Sequence, residues 1–485
     1  MRPTKASVGR GVLWSAGGAG ASRFLSFGAF LLIARALDPA SFGLVALAAL
    51  FVAVLAVFVE QGFTQALVQR QTIEDAHLDT AFWTNLSVSA VLAVALALTA
   101  GFLAEALSEQ ELGPVLCALS LSLILGAFSA VQLAILQRDM RFRALTTRSL
   151  VGTAVGGALG VGLAWTGYGV WALVAQTLVA QGVTAVGLWN TTGWRPRARF
   201  SLDHLRELWG FGLNVLGSKL VNLANTKAAS FAIAIALEKQ ALGLYTVAAR
   251  VETTLSGLLV NTITQVSLAT LSRFQGDLAR FRRIYFAGVR LTAAFAVPAF
   301  LGVAVLATEI VSSILGPQWI DAAPVISILA LLGIVSSVGG FNVAAIASLG
   351  YPQYNFRLDA LNAVVTLLAV IVALPWGLLG VAVAFVGRAY LLWPLRYLVL
   401  RRLCGVTFRE LGSALWGILA STAVMAACLV WLRSQDTGVG PYMHLALLVL
   451  AGTAVYLVSL AILARPTLRE GVGVGRAAFA RANGG

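Results

Sequence analysis

Lysine and arginine fall in alternate gaps between long apolar segments, and this pattern constrains the chain to a multi-pass membrane fold of one orientation. Of 34 Lys+Arg, 26 lie in gaps on one side, counting the two tails. Only Arg35, Lys239 and Arg433 lie in the intervening gaps. The remaining five, Arg23, Lys219, Lys227, Arg250 and Arg388, fall inside apolar segments. Cytoplasmic loops of membrane proteins retain Lys and Arg, so the basic gaps and both termini are predicted to be cytoplasmic.

Composition agrees with a membrane chain. The 485 residues are 59% hydrophobic and 11% charged, whereas soluble proteins carry about 25% charged residues. The net charge of +14 would suit nucleic acid only on one soluble face; spread over short gaps, it is explained by orientation alone. No cleavable signal is read at the start, because the first apolar stretch is long and lacks a small-residue cleavage site. Cys117, Cys404 and Cys428 are too far apart in sequence to suggest a disulfide framework or a metal site.

A span needs about 20 apolar residues. Fourteen segments meet that need, and the even count returns the C-terminus to the side of the N-terminus. The gaps between them leave no room for a soluble domain. The predicted class is therefore an all-α polytopic membrane protein with about 14 transmembrane helices.

One internal repeat is visible. The stretch from Leu37 to Ala49 reads LDPASFGLVALAA, and the stretch from Leu237 to Ala249 reads LEKQALGLYTVAA. An acid, Gly-Leu and Ala-Ala recur at a constant offset. Each stretch joins the first span of a set to the second, and both sets begin inside. Two six-helix lobes are predicted as parallel repeats, 1–200 and 201–405, with two additional helices and a tail in 406–485. Parallel repeats are related by an axis along the membrane normal, with a binding site between them.

Charges inside spans are expensive in lipid and mark candidate sites. On the seventh span Lys219, Asn222, Thr226, Lys227 and Ser230 share one helical face. Arg23 lies near the middle of the first span and Arg250 in the outer half of the eighth. Together they suggest a cationic cavity for a phosphate or pyrophosphate, which Arg binds bidentately and Lys as a point charge. The bland alternative is internal pairing, of Arg250 with Glu252 or Glu60 and of Arg388 with Asp359. Glu60 and Glu309 read as interfacial. Asn85, Gln132, Gln176, Asn342 and Asn362 read as helix-bridging groups.

Catalytic signals are missing. His77, His204 and His444 are isolated in the sequence without metal-ligand spacing, and no GxxxxGK[ST] loop exists. No cofactor and no metal is predicted.

The pattern resembles the polysaccharide transport family of the multidrug/oligosaccharidyl-lipid/polysaccharide exporter superfamily, the Wzx-type flippases. The resemblance rests on Ala34-Arg35-Ala36-Leu37-Asp38-Pro39 with Phe42-Gly43, and on Leu242-Gly243-Leu244-Tyr245 leading to Ala249-Arg250. It continues through Gln275-Gly276-Asp277, Arg282-Arg283, Leu315-Gly316 with Trp319, and Leu349-Gly350-Tyr351-Pro352. It implies a MATE-like architecture of fourteen helices in two lobes around a central cavity in a bacterial inner membrane. The implied activity is transfer of undecaprenyl-pyrophosphate-linked oligosaccharide to the outer leaflet by alternating access, with membrane lipids and other polysaccharide assembly proteins as partners. Related lipid II flippases use arginines on the first and eighth spans, matched here by Arg23 and Arg250. They also use one on the second, where this chain has only Glu60, which argues against a peptidoglycan precursor. Two rivals stay open: a drug/cation antiporter of the same superfamily, and a membrane enzyme of polysaccharide assembly.

Overall fold

Apolar stretches of this length, with no water to satisfy their backbone, must close their own hydrogen bonds, and the chain does so as helices. The computed structural model describes residues 5–60, 63–70, 73–261, 270–435 and 438–464, with their side chains except at 5–16, 19, 60, 208–214 and 261. The side chain of Glu60 and the tail residues Arg465, Arg469 and Arg476 lie outside this set. No strand occurs among the described residues.

The helices of the first part are α1 (Lys5–Ala36), α2 (Pro39–Glu60), the short α3 (Phe63–Gln69), α4 (Asp75–Ala106), α5 (Leu112–Arg138), α6 (Phe142–Trp165), α7 (Val170–Trp189), α8 (Leu202–Ala236) and α9 (Lys239–Ser256). After α9 come a π-helical turn, Gly257–Asn261, and, where the described chain resumes at residue 270, a 3-10 turn, Ser272–Phe274, followed by α10 (Leu278–Val305). Then follow α11 (Ala323–Ser348), α12 (Pro352–Ala373), α13 (Gly377–Cys404), α14 (Phe408–Arg433) and α15 (Pro441–Leu463). Among the described residues, nine stretches are long and apolar enough to cross a membrane, one of which, Pro352–Cys404, contains both α12 and α13. The chain is a multi-pass membrane protein. Among the long helices, α1, α6, α8 and α9 are not in those stretches, and each carries charge within its length.

Two details differ from the sequence expectation. The gap after the second span holds a helix, α3, whose Phe63 and Leu67 are fully buried with Phe82 of α4 and Val131 of α5. The long eighth span passes from α-helix into a π turn at Gly257–Asn261, a feature frequent at functional sites.

Packing divides the chain into two compact units, Met1–Thr246 and Val247–Gly485, so α8 and the start of α9 go with the first unit and not with the residues that follow. The reason is local. In the first unit α8 packs on α2, α3 and α4, and the segment before it is pinned to α4. There the Arg197 N–H donates to Asp79 Oδ1 (3.0 Å), Trp83 Nε1 donates to the Arg197 carbonyl (2.8 Å) and Ser201 N donates to Thr80 Oγ1 (3.3 Å).

Small residues set the closest approaches. On α6, a Cβ at Gly152, Gly156 or Gly160 would stand 2.6 Å, 2.6 Å and 3.2 Å from the α7 carbonyls of Ala180, Gln176 and Ala172. Such spacing brings membrane helices into near-backbone contact. The two repeat glycines meet each other. A Cβ on Gly43 would stand 1.8 Å from the Lys239 carbonyl oxygen, and one on Gly243 would stand 1.8 Å from that of Pro39. Residues 39 and 43 thus face residues 239 and 243 reciprocally, the sequence offset of the repeat reappearing as a contact between the starts of α2 and α9.

In the second unit α10 packs on α11 and α14, α11 on α13, α12 on α13, and α14 on α15. The last two helices are fastened by Tyr456 Oη donating to the Ala294 carbonyl (2.7 Å) and Arg433 Nη1 donating to that of Val305 (2.9 Å). Helix α14 begins with a capping box: Thr407 accepts from Glu410 N (3.3 Å) and Glu410 accepts from Thr407 N (2.9 Å). Arg282 also binds the Glu410 carboxylate. These hydrogen bonds hold Glu410 below the usual carboxylate range, those to Thr407 first and Arg282 after them.

Candidate functional site

The polar face read on the seventh span is an open face of α8. Asn222, Thr226 and Lys227 are exposed and Lys219 is half-buried, while Ala228, Ala229 and Ile233 are buried. Packing therefore takes the small and apolar side of α8 and leaves the cationic side outward. Thr226 is a weaker donor than the sequence suggested, because its hydroxyl already donates to the Asn222 carbonyl (2.8 Å). The face offers two ammonium groups and one amide to an anion.

Arg23 lies half-buried on α1 in the same unit, one residue after Ser22, whose hydroxyl meets Thr153 of α6 at 3.3 Å. Arg250 belongs to the second unit. It is exposed on α9, whereas Glu252 is buried and accepts from Ser256 Oγ (2.6 Å). Residues two apart on a helix do not face each other, so the Arg250–Glu252 pairing offered by the sequence is replaced by Glu252–Ser256.

In the second unit Arg388 is buried and donates through Nη1 to Asn362 Oδ1 at 2.5 Å, over the ring of Phe385. Asp359 is bound by Arg396. Arg396 lies inside α13, two turns beyond Arg388, and is the cation that sequence reasoning missed for this acid. Asn362, expected to bridge helices, does so.

Two of the basic residues of the intervening gaps, Lys239 and Arg433, pair with acids. Lys239 Nζ lies 2.6 Å from Glu109 Oε2, and Arg433 Nε lies 3.0 Å from Glu309 Oε1. Glu309, read as interfacial, is thus an ion-pair partner. Donating a hydrogen bond to the Glu109 carboxylate raises the Lys239 ammonium above its ordinary value.

The histidines are the clearest departure. His77 and His204, isolated in sequence, lie edge to face with ring centroids 4.1 Å apart. His77 Nε2 lies 3.3 Å from Glu207 Oε2, and Glu207 is also bound by Arg70. Burial, partly offset by the Glu207 hydrogen bond, lowers the His77 imidazole. The hydrogen bonds from Arg70 and His77 hold Glu207 below its usual range. Each sequence fragment gave a faint signal, Glu74 and His77 at one spacing of three and His204 and Glu207 at another, but only the packing of α4 on α8 joins them.

Residues 32–324 match the family of polysaccharide biosynthesis proteins. The chain belongs to this family. It is 30% identical over 333 residues, 68% of this chain and 67% of the other, to the succinoglycan biosynthesis transport protein ExoT of Rhizobium meliloti. Among solved structures, the lipid II flippase MurJ in an inward closed conformation superposes with a TM-score of 0.78 at 14% identity, covering 94% of this chain and all of that one (100%). An inward-facing multidrug resistance MATE family transporter of the MOP superfamily gives 0.62 at 17% identity, covering 78% of this chain and 94% of its own. The helical, MATE-like architecture implied by the resemblance is therefore the fold of this protein.

Proposed function

We propose that this protein is a flippase that moves undecaprenyl-pyrophosphate-linked oligosaccharide repeat units from the cytoplasmic to the outer leaflet of a bacterial inner membrane, for export of a surface polysaccharide. The observation that carries the reading is the open face of α8, where Lys219, Asn222 and Lys227 point away from the protein interior in a chain of the polysaccharide biosynthesis family. Two ammonium groups, one exposed and one half-buried, among mostly small and apolar neighbours are tolerated where water and an anion offset their desolvation. The pyrophosphate supplies that anion, and the prenyl tail stays in lipid. Arg23 acts with this face as a further pyrophosphate ligand, Arg250 is a pyrophosphate ligand on the second unit, and transport proceeds by alternating access without covalent chemistry. Asp359, paired with Arg396, and Arg388, held by Asn362, serve the second unit as a strut or a coupling element. Both termini are cytoplasmic. A drug/cation antiporter would place acids along such a face, and α8 carries cations there.

The test is export of the cognate polysaccharide in a deletion strain. Lys219→Ala and Arg23→Ala are expected to lose at least tenfold, since a charge-assisted hydrogen bond contributes about 1.5–3 kcal/mol, while Lys219→Arg retains part of the activity. Parental export by all four alanine variants of Arg23, Lys219, Lys227 and Arg250, at equal protein levels, would refute the cationic mechanism.

A further inference from the structure

We propose that Glu74, His77 and His204 form a binding site for a borderline divalent cation of the zinc class, at the end of the first unit where α4 begins and α8 makes its first turn. One ligand atom from each of the three lies within 4.8 Å of the others. Zinc bonds to nitrogen and oxygen of about 2.0–2.1 Å in a tetrahedron set ligand atoms roughly 3.4 Å apart. The cluster therefore closes on a metal with a contraction of the order of 1 Å, which the exposed Glu74 side chain can provide by rotating.

The nitrogens are disposed for it. His204 Nδ1 is buried and has no hydrogen-bond partner, so a lone pair or a proton there is unsatisfied unless something binds it. His77 Nε2 faces Glu207 Oε2 at 3.3 Å; a proton on Nε2 donated to that carboxylate leaves the lone pair on Nδ1, where it accepts a hydrogen bond from Glu74 N (3.3 Å) that a metal ion would replace. A carboxylate that orients a ligand imidazole through its other nitrogen is the usual second layer of a zinc site. Arg70 in turn holds Glu207, so this carboxylate is committed to orientation and not to the metal. Three protein ligands of which one is exposed leave a fourth position for water. Two imidazoles select zinc, nickel or cobalt over magnesium or calcium, which require oxygen donors. The competing explanation is a helix cap, in which Glu74 and His77 serve only the first turn of α4. It accounts for neither the buried unpartnered nitrogen of His204 nor the Glu207 contact.

The experiment uses the full chain, purified in detergent with a tag other than polyhistidine and stripped with a chelator, titrated calorimetrically with zinc chloride. One equivalent is expected to bind, undisturbed by millimolar magnesium. His77→Gln and His204→Gln should each weaken binding at least tenfold, and Glu207→Gln by about 10–100-fold through loss of orientation. His444→Gln should bind as the parent does. Because a variant can fail to fold, the parent protein also receives Co2+, whose visible absorption should intensify on entering a tetrahedral nitrogen/oxygen site and vanish on zinc addition. No saturable zinc binding and no cobalt spectrum in the parent, or equal binding by folded His204→Gln, would overturn the site.

Discussion

Replacing Gly43 by alanine inserts a methyl group into the tightest backbone crossing of the first unit. The new Cβ would stand 1.8 Å from the Lys239 carbonyl oxygen and 2.6 Å from its carbon. An ordinary contact of about 3.4 Å would require the starts of α2 and α9 to separate by roughly 1.6 Å, because backbone, unlike a side chain, cannot rotate away. Overpacking of this kind costs about 1–3 kcal/mol. For a cooperative unit of some 246 residues (Met1–Thr246), that corresponds to a fall of roughly 2–12 °C in melting temperature. Gly243→Ala should do the same, since its Cβ meets the Pro39 carbonyl oxygen at 1.8 Å. The two substitutions open one crossing, so the double variant should lose less than the sum of the single losses. The assay is thermal unfolding in detergent, followed by loss of the monodisperse peak in size-exclusion chromatography. Melting temperatures within 1 °C of the parent for both single variants, or strictly additive losses in the double, would refute the reciprocal contact.

Reporter fusions placed after Glu109 should report the outer side, and fusions after Arg143 and Arg283 the cytoplasm; a cytoplasmic signal at Glu109 breaks the orientation derived from the arginines. Asp359→Ala and Arg396→Ala should each lower thermal stability, with a coupling of about 0.5–3 kcal/mol in a double-mutant cycle; additive effects would mean that the ion pair seen between α12 and α13 contributes nothing. Glu410 has a depressed carboxyl in the folded state, so its contribution is present above the unfolded carboxylate value of about 4.3 and fades as pH falls through the lower folded value. Glu410→Gln should therefore melt below the parent at pH 7, with the gap narrowing in acid; a gap that persists at pH 3 would show that the charge is irrelevant to the cap.

The membrane class, the helical architecture and the repeat offset were legible because they follow from local rules. Lipid forces long apolar helices, and two similar stretches carry Gly43 and Gly243 at matching places. The polar face of α8 was legible for the same reason: helical periodicity alone places Lys219, Asn222 and Lys227 together. Partner choice is a different kind of fact. Which acid meets which base depends on the relative depth and rotation of two helices. So Arg396 binds Asp359 while Arg388 takes the amide of Asn362, and Glu252 turns to Ser256 one helical turn away. The same holds for His77 and His204, which are 127 positions apart in the chain (204 − 77) and 4.1 Å apart between ring centres. No periodicity links them; they meet because α8 packs on α3 and α4, and side chains projecting from two packed helices converge only once that packing has set the register between them.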